Sequence, residues 1–147
     1  MLRRPTAIPT FKTWLDVLLA HAFNDKAGYF VLTGIVGSKI KEYARLATDI
    51  IAEEEAHGFQ GAQMLLDYYS GARLKDSHKR SLLILHLDAA VWCLGRPNSP
   101  RDKDALEFGL KTQSSAETLA LFCSYADKLL TQMQCVDLLP ISKRYIK

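Results

Sequence analysis

The chain has 147 residues, of which 48% are apolar and 24% charged, and a net charge of +3. That is one domain's worth of core, too hydrophobic for a disordered segment and too weakly basic for the stripe that nucleic-acid binding needs. No apolar run approaches the length of a membrane span, and no signal-peptide pattern follows Met1-Leu2-Arg3-Arg4, so the expectation is a soluble cytoplasmic protein.

Residues 1–10, with Pro5 and Pro9 among small and basic residues, read as an arm outside any helix. Thr10 is placed to cap a first helix carrying Trp14, Leu15, Leu18, Leu19, Ala22, Tyr29 and Leu32, which ends loosely around Gly34 and Gly37. Ser38 and the Lys39–Lys41 stretch form a turn. In the second helix Tyr43, Leu46, Ala47, Ile50, Glu54, His57, Gly61, Met64 and Leu65 recur at helical spacing between Lys41 and Tyr69, and Ser70-Gly71 closes it. A leucine-rich third helix runs from Asp76 to about Leu94 and stops at Gly95-Arg96-Pro97-Asn98-Ser99-Pro100. A short helix over Arg101–Lys111 follows, then a last one from Ser115 to about Cys135, capped by Ser114 or Ser115. The expected organisation is an all-α domain over 11–138 between the arm and a loose basic tail, 139–147. Cys93, Cys123 and Cys135 lack paired spacing and read as small buried residues of a reducing compartment.

Chemistry concentrates in Ala52-Glu53-Glu54-Glu55-Ala56-His57-Gly58. Glu54 and His57 stand three apart, so on a helix their side chains share a face and can address one metal ion. Carboxylate oxygen with imidazole nitrogen suits iron or manganese. Helix bundles with two such metals take a Glu-x-x-His motif from each of two helices and a carboxylate from each of two more. Ile50, Gly61 and Leu65 lie on the same stripe, which puts these polar groups on an apolar seam where a bare carboxylate is costly. The same spacing also serves a Glu54–His57 hydrogen bond in a partly wet core. Asp25 is the second element, a poor helix-interior residue with Leu18, Ala22, Tyr29 and Leu32 around it. Asp25 and Glu54 are about equally far from the Ser38–Lys41 turn, so antiparallel helices bring them level. His21, one turn before Asp25, reads as a packing residue or an outer partner of the site, and His86 as a satisfied core histidine. Asp49, Asp88 and Trp92 are candidates for orienting the ligands.

From Phe11 to about Leu138 the chain resembles the C-terminal half of the phenylacetic acid catabolic protein family, the oxygenase subunit of phenylacetyl-CoA epoxidase. The resemblance rests on Thr13-Trp14-Leu15-Asp16 opening a helix that contains Asp25-Lys26-Ala27. It continues through Tyr43-Ala44-Arg45-Leu46-Ala47 into Glu53-Glu54-Glu55-Ala56-His57-Gly58, and through Leu94-Gly95-Arg96 to Ala105-Leu106-Glu107-Phe108-Gly109-Leu110-Lys111. It implies a ferritin-like bundle, a non-haem di-iron centre with Asp25, Glu54 and His57 as ligands, and oxygen insertion into an aromatic acyl-CoA. The family's first half supplies another carboxylate helix and another Glu-x-x-His helix, which this chain lacks. The expectation is therefore half of a di-metal four-helix bundle, completed by a second copy in a homodimer or by a related ferritin-like subunit. A non-catalytic partner subunit of such an oxygenase and a small ferritin-like iron-binding oxidase are the alternatives.

Overall fold

The computed structural model describes residues 8–69 and 76–145, and among them every regular element is helical. The elements are α1 (Trp14–Leu19), a π-helical segment (Ala20–Asp25), α2 (Lys26–Val36), α3 (Lys41–Tyr69), α4 (Ser77–Cys93), α5 (Pro100–Glu107), α6 (Ser115–Gln132), a 3-10 turn (Val136–Leu138) and α7 (Ser142–Tyr145). No helix is long and apolar enough to cross a membrane. Most of the arm expected at 1–10, and the Ser70-Gly71 stop, lie outside the described residues; Ile8, Pro9 and Thr10 are not helical.

The first helix starts three residues later than its sequence suggests. Thr13, not Thr10, is the N-cap, because Asp16 three residues on completes a capping box: the Asp16 amide donates to Thr13 Oγ1, and the Thr13 amide donates to Asp16 Oδ2 at 2.8 Å. The helix is also not uniformly α. Six residues from Ala20 to Asp25 are wound as a π-helix before α-geometry resumes at Lys26. Such segments widen the turn and re-aim the side chains they carry, and they are frequent at functional sites.

α1, the π segment and α2 together form one rod at the centre of the molecule. α3 packs along one side of the rod, and α4 and α6 along the other. The composition of the rod explains its place. Leu15, Leu18, Leu19, Ala22, Phe23 and Ala27 are all buried, and a helix that is apolar on more than one face must be covered on more than one side. Phe122, Leu119, Leu130 and Met133 meet it from the α6 side and its continuation, and Leu83, Leu87 and Ala90 from α4.

α3 has the opposite character. Among its 29 residues only Ala47, Gly58, Gly61 and Leu65 are buried, and all four belong to the stripe facing the rod. Leu46 and Phe59, 54% and 70% exposed, project to solvent from different flanks of the helix.

The C-terminal segment corrects the expectation of a loose tail. Ile141 is buried, its amide donates to Asp127 Oδ1 at 2.9 Å, and the Tyr145 hydroxyl donates to Asp88 Oδ1 at 2.6 Å. Asp88 therefore holds α7, together with Arg144, instead of orienting a metal ligand. α5 begins at Pro100 with Ser99 as its cap, and ends at Glu107 because Gly109 takes a left-handed turn (φ 69°). α6 starts at Ser115 as expected, with Ser114 and Glu117 forming a second capping box.

Candidate metal centre

Where α3 crosses the π segment, three side chains converge. His21 Nδ1 lies 2.5 Å from Asp25 Oδ2, and His57 Nδ1 lies 3.9 Å from the same oxygen. The two imidazoles are stacked obliquely, with ring centroids 5.4 Å apart. One donor atom from each of His21, Asp25 and His57 falls within 4.8 Å of the other two, which makes a His/Asp/His group of metal-binding size.

Helix contact at two glycines brings the group together. A Cβ on Gly61 would lie 2.5 Å from the Cβ of His21 and 2.7 Å from the backbone nitrogen of Ala22, so only glycine permits this approach. One turn earlier, Gly58 lies against the stem of Lys26, where a Cβ would come within 3.0 Å. Lys26 in turn lies with its ammonium 4.0 Å from the centroid of the Tyr29 ring, a cation–π contact that keeps it on the rod. His57 stands one residue before Gly58 and is carried in with it.

The helix register differs from the sequence estimate by a small but consequential step. His21 lies against Gly61, Asp25 faces His57, and Gly28 faces Glu54, three pairs that straddle Lys41 symmetrically. Asp25 is thus level with His57, not with Glu54. Glu54 sits one turn further toward the α2–α3 turn, its Oε2 3.6 Å from where a Gly28 Cβ would stand. It stays within electrostatic reach of the cluster. Burial raises its carboxyl above the ordinary glutamate range, the neighbouring Asp25 charge raises it further, and His57 and His21 oppose the shift only in part.

Of the three residues singled out from sequence, Asp25 and His57 are in direct reach of each other, and Glu54 borders the pair. His21 is the residue that sequence reasoning undervalued. Its four-residue spacing from Asp25 was visible, but a spacing of four on an ordinary α-helix is too common to single out, and the π-helical winding has no sequence signature. All four side chains are only partly covered: His21 and His57 side chains are 40% and 50% exposed, and Asp25 27%.

The donor set fits a divalent transition metal. Two imidazole nitrogens with one carboxylate, and a second carboxylate alongside, is the mixture that takes iron or manganese. With metal–ligand bonds near 2.1 Å, neighbouring ligands on one ion stand about 3 Å apart, and the two distances from Asp25 Oδ2 bracket that value. The chain matches no protein-family model and no curated protein sequence. Function must therefore be argued from the site.

Elsewhere the buried polar groups are structural. His86 is fully buried with its Nε2 3.4 Å from Asp16 Oδ1, so the core histidine is paired at one nitrogen, but its Nδ1 has no hydrogen-bond partner among the described residues. Trp92 and Asp49 are exposed, and Cys93, expected in the core, is exposed as well; Cys123 and Cys135 are buried, and all three thiols are free.

Proposed function

We propose that this chain is a metal-binding subunit of ferritin-like type whose di-iron or di-manganese centre is completed by a second copy of itself. The observation that carries the reading is the convergence of His21, Asp25 and His57 on one oxygen, with Glu54 beside them. The bundle site needs two carboxylate helices and two Glu-x-x-His helices. Asp25 with Glu54 and His57 supplies one of each, and a two-fold copy supplies the others. Two features support that completion: the donors are partly open at the edge of the contact between the π segment and α3, and Leu46, three turns from His57 on the same face of α3, exposes apolar surface.

In such a site Asp25, Glu54 and His57 would hold the metal, and His21 would act on Asp25. A hydrogen bond from an imidazole to a ligating carboxylate fixes which lone pairs remain for the ion. A bound iron pair would supply dioxygen activation, consistent with an oxygenase component acting on an aromatic acyl-CoA or with a ferritin-like oxidase. The chain's own contribution is to set the ligands on a central rod whose position is locked by the core.

A second reading is favoured by the His21 geometry itself. Two histidines and one carboxylate form the ligand set of mononuclear non-haem iron sites, and here they come from a single chain. His21→Ala separates the readings. For a shared di-metal centre it weakens binding by roughly 10- to 100-fold as an outer partner, and the loaded protein is a dimer with magnetically coupled metals. For a mononuclear site it abolishes binding, and the loaded protein is a monomer with an isolated high-spin signal. Metal analysis of protein from iron-supplemented cells, with Asp25→Ala and His57→Ala as controls, tests both. Full metal content in those two variants overturns the site.

A further inference from the structure

A second cluster of charge lies at the far end of α2 from the histidines, where the segment after α5 crosses Gly34 with the Thr112 amide donating to its carbonyl at 2.8 Å. Beside it the chain folds around a cavity of about 610 Å³, between the Gly95–Ser99 turn and the first residue of α6. Arg96, Arg101 and Lys111 line it, with a single acidic residue, Asp102.

Asp102 is held through one of its two oxygens. Only 6% exposed, its Oδ1 accepts from the Ser115 amide at 3.0 Å, from the Ser115 hydroxyl at 2.7 Å and from the Lys111 ammonium. Burial acts to raise the Asp102 carboxyl, but the Lys111 and Ser115 hydrogen bonds outweigh it and hold the group below the ordinary aspartate range. Asp102 therefore stays ionised and is balanced by Lys111. The Arg96 and Arg101 side chains are left over: neither has a hydrogen bond or ion pair to any described residue. The cavity wall carries a surplus of two positive charges.

The frame under those arginines is set by the backbone. Gly95 has φ 85°, and a Cβ there would lie 2.8 Å from Ser115 Oγ, so the turn sits directly against α6. Asn98 adopts φ 57°, the Ser99 amide donates to the Arg96 carbonyl at 3.3 Å, and the Ser99 hydroxyl caps α5 through the Asp102 amide. Two guanidiniums thus leave a fixed turn and a capped helix start on the rim of one cavity. A frame that is ordered before the ligand arrives lowers the entropic cost of binding.

We propose that this cavity binds the phosphate group of a small soluble molecule. Guanidinium forks match phosphate oxygens in pairs, a phosphate monoester carries close to two negative charges at neutral pH, and the cavity has room for the group. The site is independent of the metal centre and does not rest on it.

Titration with inorganic phosphate, followed by amide NMR at ionic strength held constant with chloride, tests the proposal. Saturable shifts are expected at Gly95, Arg96, Arg101 and Ser115, and unchanged by Asp25→Ala. Arg96→Gln and Arg101→Gln should each weaken binding by about tenfold, the loss of a charge-assisted hydrogen bond, while circular dichroism stays the same because both side chains are exposed. Absence of saturable shifts, or shifts that survive the double substitution, would overturn the site. Vesicles containing phosphatidic acid serve as the other arm. Tighter capture by those vesicles than by phenyl phosphate would assign the arginines to a lipid headgroup and overturn the soluble ligand.

Discussion

His21 rests on the bare backbone of Gly61, with no room for a Cβ between them. The contact joins the π segment to α3 at the one level where both histidines can reach Asp25. Gly61→Ala should therefore push the helices apart. Overpacking of this kind costs about 1–3 kcal/mol, offset by up to ~1 kcal/mol from alanine's better helix propensity. The expected result is a lower urea midpoint together with lost metal binding. Gly58→Ala meets no atom of Lys26 closer than 3.0 Å and should cost less than Gly61→Ala. Equal behaviour of the two variants would show that the close approach at Gly61 does not position the site.

Glu54 is held in an environment that penalises its charge, first by burial and then by Asp25. Its folded-state pKa lies above the unfolded one, so the folded state retains a proton that the unfolded chain has released. Stability of the metal-free protein then falls as pH rises from the unfolded value near 4.5 through the raised folded value. Glu54→Gln should raise the urea midpoint of metal-free protein at neutral pH and, at the same time, weaken metal binding. Stability gained at the expense of a ligand is the usual sign of a functional residue. An unchanged midpoint with unchanged metal content would remove Glu54 from the site.

Asp16 and His86 govern the response to acid. Burial lowers the His86 imidazole below its ordinary range, with the Asp16 hydrogen bond opposing only in part. Protonation therefore favours the unfolded chain as pH drops below ~6.5, the free histidine value. Burial works to raise the Asp16 carboxyl, yet the Thr13 hydroxyl, the Thr13 and Lys12 amides and His86 together hold it low. Its contribution is present above the unfolded value of 3.8 and is lost as pH falls through the lower folded one. Chemical denaturation at a series of pH values should show two successive losses. His86→Leu should erase the upper one, and Asp16→Ala, which removes a cap and a buried partner together, should cost about 2–4 kcal/mol at neutral pH.

The C-terminal helix is expected to contribute measurably to folding. Tyr145→Phe removes the hydroxyl bonded to Asp88 and should cost about 1 kcal/mol, or more if Asp88 is left dry. Ile141→Ala empties a fully buried position at a cost of about 2–5 kcal/mol. Thermal unfolding that is indifferent to both would mean that α7 is not docked in solution.

Assembly can be tested on α3 alone. Leu46 is 54% exposed, three turns before His57 on the same face of the helix. If a second copy covers that face, Leu46→Glu should convert a dimer to a folded monomer by light scattering and lower metal affinity with it. A dimer that tolerates the charge would place the interface elsewhere.

The sequence by itself determined the helical class, the antiparallel turn around Ser38–Lys41, and two residues of the cluster, Asp25 and His57. These follow from local physics: apolar spacing of 3.6, a cap at Ser114, and polar residues stranded on apolar stripes. Tertiary structure alone decided the rest. The fit of Gly61 against His21 set Asp25 level with His57 instead of Glu54, which brought both imidazoles to one oxygen. It also chose Asp16 as the partner of His86, 70 residues away, and docked a tail whose basic composition reads as loose. Each of these depends on which surfaces meet at close range. A shift of one helical turn in register exchanges one side chain of the cluster for another, and hydrophobic periodicity fixes which face a residue occupies without fixing its level along the neighbouring helix.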